Sequence, residues 1–145
     1  MRYKYKILPS KQDAFPGSDS FWSPILNVRL SVGHGRQTRM FETLVDSGAD
    51  SCIFNASICN ALQLELTRGI HGLMGGVAGG VQIDVWYHDV KLWVGADMLK
   101  IRAGFCERLP IAGLLGRRGF FEHHIVTFDP SANPPGFEIQ RIGRA

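Results

Sequence analysis

The sequence predicts an all-β protein, and three observations carry that expectation. Apolar residues alternate with polar ones in several stretches: Leu26, Val28, Leu30 and Val32 with Asn27, Arg29 and Ser31, and Val81, Ile83, Val85 and Tyr87 with Gln82, Asp84 and Trp86. A period of two marks a strand with one face in the core. Glycine clusters punctuate these stretches, the densest placing six glycines between Gly69 and Gly80, and short strands separated by turn residues read as a barrel or sandwich. Helical patterning is confined to one or two short segments.

The elements follow in chain order. Tyr3-Lys4-Tyr5-Lys6-Ile7 alternates aromatic or apolar with basic residues, as an edge strand does. Lys11 to Ser20 is polar, holds Pro16-Gly17 and reads as a loop. A strand from Ile25 turns at Gly33-His34-Gly35 into a second, about Thr38 to Val45. The buried run Cys52-Ile53-Phe54 follows, then a short helix capped by Asn55 and running through Leu62, with Ile58, Cys59 and Leu62 inward. Gly69 to Gly80 has too many glycines for a rigid core and predicts a hairpin or loop. After the strand Val81–Tyr87, His88-Asp89 is expected to turn the chain into another holding Val90, Leu92 and Val94. Leu99, Ile101 and Ala103 suggest a further strand. Leu114 and Leu115 enter a buried turn, and Arg117 to Phe121 begins a short helix. Ile125 to Phe128 is a strand, Pro130 to Gly136 a loop, and Phe137, Ile139 and Ile142 mark a last strand.

Composition excludes several classes. The chain has 145 residues, 45% hydrophobic and 20% charged, which fits one domain with a genuine core and not a disordered chain. The net charge of +3 comes from scattered basic residues, not a stripe, so nucleic-acid binding is not expected. No apolar run reaches membrane-spanning length, and MRYKYKILPS lacks the apolar centre of a signal peptide. Cys52, Cys59 and Cys106 sit among apolar neighbours with no Cys-x-x-Cys, which reads as buried free thiols in a reducing, cytoplasmic setting. Among the five histidines no set has metal-ligand spacing, so neither a metal nor a cofactor is expected. Trp22, Trp86 and Trp93 read as core or interface residues.

The chemistry concentrates in Phe41–Phe54, FETLVDSGADSCIF. It holds Asp46 at the mouth of a tight turn between two apolar runs. Asp-Ser-Gly is also an ordinary turn, because Asp and Ser bond nearby amides and Gly tolerates positive φ. The flanks say more. Thr43-Leu44-Val45-Asp46-Ser47-Gly48-Ala49-Asp50 resembles the active-site segment of aspartic proteases, and its Ala-Asp continuation resembles the retropepsin branch. About seventy residues on, Ile111-Ala112-Gly113-Leu114-Leu115-Gly116-Arg117 resembles the retropepsin segment that follows the flap. The resemblance spans Pro24 to Asp129. It implies a retropepsin-like closed barrel or sandwich with a flap hairpin, residues 24–145 as the protease domain, residues 1–23 as an N-terminal extension, and a two-fold homodimer whose terminal strands pair across the interface.

The resemblance also implies roles. Asp46 of each subunit would act as base or acid in hydrolysing a peptide bond, supported by Ser47 and Gly48. Ala49, Asp50 and the flap-tip residues Gly75 and Gly76 would bind the peptide backbone, and Arg117 would pair with Asp50. The family usually continues this Arg with Asp or Asn; here Arg118 follows. Elementary chemistry agrees on stoichiometry: amide hydrolysis by water needs a base and an acid, and two carboxylates sharing a proton supply both. One Asp-Ser-Gly per chain then requires a symmetric dimer. The alternative is a dimer of this fold that holds peptide without cutting it. A phosphate-binding reading of the glycine-rich stretch fails, since no Gly-Lys-Ser/Thr and no helix follow it.

Overall fold

The computed structural model describes residues 1–75 and 79–143. These residues form twelve strands and one short α-helix: β1 (Arg2–Lys4), β2 (Lys6–Pro9), β3 (Ser20–Ser23), β4 (Ile25–Ser31), β5 (Phe41–Val45), β6 (Ile53–Asn55), α1 (Ile58–Leu62), β7 (Ile70–Gly75), β8 (Gln82–Val94), β9 (Asp97–Cys106), β10 (Gly113–Leu115), β11 (His124–Asp129) and β12 (Gly136–Arg141). Single 3-10 turns lie at Leu66–Arg68 and Phe121–His123.

Six strands close a barrel in the order β4-β5-β10-β6-β9-β8, with β4 pairing back onto β8. Closure removes sheet edges that would otherwise recruit other chains. The alternating residues of the sequence fill it: Leu26, Val28, Leu30, Phe54, Leu92, Ile101, Phe105 and Leu115 are buried in one cluster. β7 continues the sheet beyond β8 as one arm of a hairpin, so the glycine-rich stretch begins as paired strand, in register from Ile70↔Tyr87 to Gly75↔Gln82.

β8 corrects the expected turn at His88-Asp89. It is one strand of 13 residues, paired with β9 without a break from Trp86↔Phe105 to Val94↔Asp97. The apolar alternation changes phase there because the strand serves two clusters. Val90 and Leu92 point into the barrel core, whereas Val85, from the opposite face, packs with Ile53, Cys106 and Leu109 in a smaller cluster. A pleated strand whose two ends are buried on opposite faces shows the same phase slip as a turn.

Smaller corrections concern the helix and the N-terminus. Asn55 ends β6 instead of capping the helix: its Oδ1 accepts from the Ser57 N–H at 2.9 Å and its Nδ2 donates to the Leu109 carbonyl at 2.8 Å. The helix begins at Ile58, with Cys59 and Leu62 buried. The second strand of the first hairpin starts at Phe41, not Thr38. The expected edge strand Tyr3–Ile7 divides at Tyr5. β1 pairs with β12, Tyr3 stacking on Phe137 at 5.4 Å, and β2 pairs with β3. Lys6 of β2 reaches Glu42 of β5 at 2.5 Å. Trp22 lies on β3 and is 47% exposed, so it is not a core residue.

β12 is the central strand of the sheet β1-β12-β11. Both of its ladders are filled within the chain, so the expected pairing of this strand across a dimer is closed to it. The unpaired edges of that sheet, among the described residues, belong to β1 and β11. The three cysteines are free and buried. Burial pushes the Cys52 thiol up to about 12 and that of Cys59 to about 11, which keeps both un-ionised and poor nucleophiles. No helix among the described residues is long and apolar enough to cross a membrane.

Candidate active site

β5 delivers Asp46, and the backbone around it is fixed from three sides. Its N–H donates to the Leu115 carbonyl at 3.0 Å, its own carbonyl accepts the Ala49 N–H at 3.2 Å, and β10 runs parallel beside β5 with Leu115 opposite Val45. The side chain is half-buried. Its Oδ1 accepts the Gly48 N–H at 2.9 Å, which orients the carboxylate. Oδ2 is thereby left for water or a further partner. Ser47 is exposed beside it.

Gly48 departs from the expectation for a turn glycine. Its φ is not positive; the constraint is space, because a Cβ there would stand 3.2 Å from Asp46 Oδ1. Gly116 is held more strictly still: a Cβ would meet the Ser51 carbonyl oxygen at 2.3 Å and that of Ala49 at 2.8 Å. Its tight contact is with the loop after Asp46. That loop is tied down by Arg117 N–H to the Ala49 carbonyl and Arg118 N–H to the Asp50 carbonyl, both 2.9 Å. Arg117 Nη2 also donates to Asp50 Oδ1. The pair is exposed in the single chain, with side-chain exposures of 60% and 80%.

Above this loop lies a cleft of about 470 Å³, within the range of ligand sites. Asp46, Gly48, Ala49, Asp50 and Ser51 line one wall. Leu73, Met74 and Gly75 of β7, Ile83 and Tyr87 of β8, Ile53 and Leu114 line the rest. Asp46, Gly48, Ala49, Asp50 and Gly75 are thus brought to one cleft, whereas Gly76 lies outside the described residues. The apolar wall was not singled out from sequence. Its signal is the odd-numbered face of β8, Ile83 and Tyr87, which the smaller cluster does not fully cover.

Neither the protein-family models nor the curated proteins give a match to the chain. Among solved structures it is similar to the EIAV protease complexed with the inhibitor HBY-793, at 22% identity and a TM-score of 0.47, over 66% of this chain and 82% of that one.

The histidines make other contacts. His71 Nε2 lies 2.7 Å from Asp84 Oδ1 across the β7–β8 hairpin. His88 Nε2 bonds the Leu66 carbonyl at 2.9 Å, and His124 Nδ1 the Phe120 carbonyl at 2.9 Å. Burial holds His124 below the ordinary imidazole range, against the opposing pull of that carbonyl. Among the described residues no three His, Cys, Asp or Glu side chains converge as a metal site would require.

Proposed function

We propose that the chain is an aspartic endopeptidase whose active form is a two-fold homodimer, with Asp46 of each subunit meeting on the axis. The observation that supports this reading is a rigidly anchored, half-buried carboxylate on the wall of a cleft whose opposite side is a β-hairpin. An extended peptide fits such a cleft by strand addition, its side chains alternating between the hairpin and the floor. Two carboxylates held close together cannot both ionise, so the pair shares one proton. The ionised member takes a proton from water as that water attacks the scissile carbonyl. The protonated member gives its proton to the carbonyl oxygen, and the leaving nitrogen is protonated as the tetrahedral intermediate collapses. In this reading Ser47 bonds across the axis through its hydroxyl, and the Gly48 N–H, donated to Asp46 Oδ1, fixes the carboxylate's orientation. Ala49, Asp50 and the hairpin residues Gly75 and Gly76 bind the peptide backbone, and the Arg117–Asp50 pair braces the loop near the subunit boundary.

The test is a diverse peptide library incubated with wild type and with Asp46→Asn over a range of pH, the cuts identified by mass spectrometry. Asn is nearly isosteric but carries no exchangeable proton of the required kind. Cleavage is expected to fall by on the order of 10²–10⁴-fold or more, with the thermal melt retained. Substantial cutting by the purified variant would overturn the mechanism. Peptide binding without any cutting by wild type would favour a non-catalytic binding dimer.

A further inference from the structure

A second cavity, of about 490 Å³, abuts the cleft and shares Ser51 and Tyr87 with it. Its wall is basic: Lys100 and Arg102 from β9 and Arg118 from the segment after β10, over an apolar base that includes Ile70 and Ile101. Five arginine and lysine side chains in and around it differ in how they are engaged. Arg102 is held by Asp89 at 2.9 Å, Arg117 by Asp50, and Lys91 by the Gly33 carbonyl at 2.7 Å. Lys100 and Arg118 make no ion pair or side-chain hydrogen bond among the described residues. The one carboxylate on the wall, Glu122, is turned to the Gly119 N–H at 2.8 Å and lies 3.6 Å from His123 Nε2. Two cations with no side-chain partner among the described residues therefore line a cavity that shares Ser51 and Tyr87 with the cleft; Lys100 also borders a neighbouring surface cavity beside Lys91 and Asp89.

Resting on the peptidase reading, we infer that this cavity is an outer subsite that selects an acidic substrate side chain, with Lys100 and Arg118 as specificity-determining residues. Ile70 and Tyr87, both accessible at this cavity, suit the methylene stem of a glutamate, whose charge then lies toward the cations. The subsite lies within reach of the scissile bond. Asp46 and Ser51 are five positions apart, at most about 18 Å of extended chain, so the acidic position falls within roughly five residues of the cut. A two-fold dimer carries the cavity twice, once on each side of the axis. The preference is therefore expected on both sides of the scissile bond.

The experiment walks a single Glu, Gln or Lys through each position of a cleaved peptide. At one or more positions Glu is expected to raise kcat/KM over Gln by about tenfold. The Lys100→Glu/Arg118→Glu double variant is expected to collapse that ratio to near one or to favour Lys, with wild-type melting behaviour showing that the fold is kept. Binding of the same peptides to Asp46→Asn, followed by fluorescence anisotropy, separates this inference from the proposed reaction. Cutting and binding that ignore charge at every position, or a Glu/Gln ratio unmoved by the double variant, would overturn the subsite and leave the peptidase standing. Selective binding of acidic peptides, lost in the double variant but accompanied by no cutting, would support the subsite and overturn the peptidase.

Discussion

At Gly48 the side chain is excluded by its neighbour. A Cβ would stand 3.2 Å from Asp46 Oδ1, while the backbone conformation itself suits any residue. Gly48→Ala is therefore expected to separate activity from stability. Loss of chain entropy in the unfolded state offsets the crowding, so the melt stays within a few degrees of wild type. The displaced carboxylate, in contrast, should lower kcat by about tenfold or more. His124 carries a second prediction. It is buried and neutral in the folded state, with a pKa depressed chiefly by burial, and it regains its ordinary value near 6.5 on unfolding. The unfolded chain thus binds more protons below that value. Stability from this group is fully present above pH 6.5 and declines as pH falls toward the lower folded value, by at most about 1.4 kcal/mol per pH unit. His124→Asn keeps a donor for the Phe120 carbonyl but cannot titrate, so its melting temperature should fall less than wild type between pH 7 and pH 5. Equal slopes would refute this account. At this scale the partners Asp46, Gly48, Asp50 and Arg117 were legible, because each sits in a short contiguous motif. The exposure of the Asp50–Arg117 pair was not. The single chain leaves it at the surface, where such pairs contribute on the order of 0–1 kcal/mol.

The unbroken length of β8 gives the element scale its sharpest test. One glycine inserted between His88 and Asp89 would slip the register with β9 and turn Val90 and Leu92 out of the core, since a one-residue shift reverses every side chain beyond it. That variant should lose its cooperative melt. The same insertion at Gly95-Ala96, the turn that joins β8 to β9, should be tolerated, with a melt within about 5 °C of wild type. Were His88-Asp89 a turn, the two insertions would behave alike. The strands around β4, β5 and β9 were legible because each buries one face and alternates cleanly. β8 and the N-terminal segment were misread for related reasons. A strand buried on opposite faces at its two ends mimics a break. A strand that changes partners, as the chain does between β1 and β2, mimics continuity. β10, only three residues long, was readable as a buried turn but not as the strand seated between β5 and β6, because its pairing is set entirely by distant segments.

For the whole molecule, the proposed dyad makes activity a property of two copies. Specific activity should decline on dilution below the dimer dissociation constant. Excess Asp46→Asn should poison the wild type by forming mixed dimers with one competent carboxylate, and the pH profile should be bell-shaped, because only the singly protonated pair works. A monomer shown by sedimentation to retain full specific activity would rule out the shared dyad. The sheet β1-β12-β11 bears on how each copy is made. Its first ladder joins Arg2 to Glu138, and the Met1 amine donates to the Ile139 carbonyl across 138 positions of sequence. During synthesis the first strand therefore emerges long before its partner exists. At about 5–20 residues per second, it waits on the order of ten seconds for the last strand to leave the ribosome. Throughout that interval Tyr3 and Tyr5 lack the Phe137 ring that covers them in the finished fold, and the first strand presents an open edge. An open strand edge of this kind is where a nascent chain is most exposed to pairing with a neighbour before its own β12 arrives.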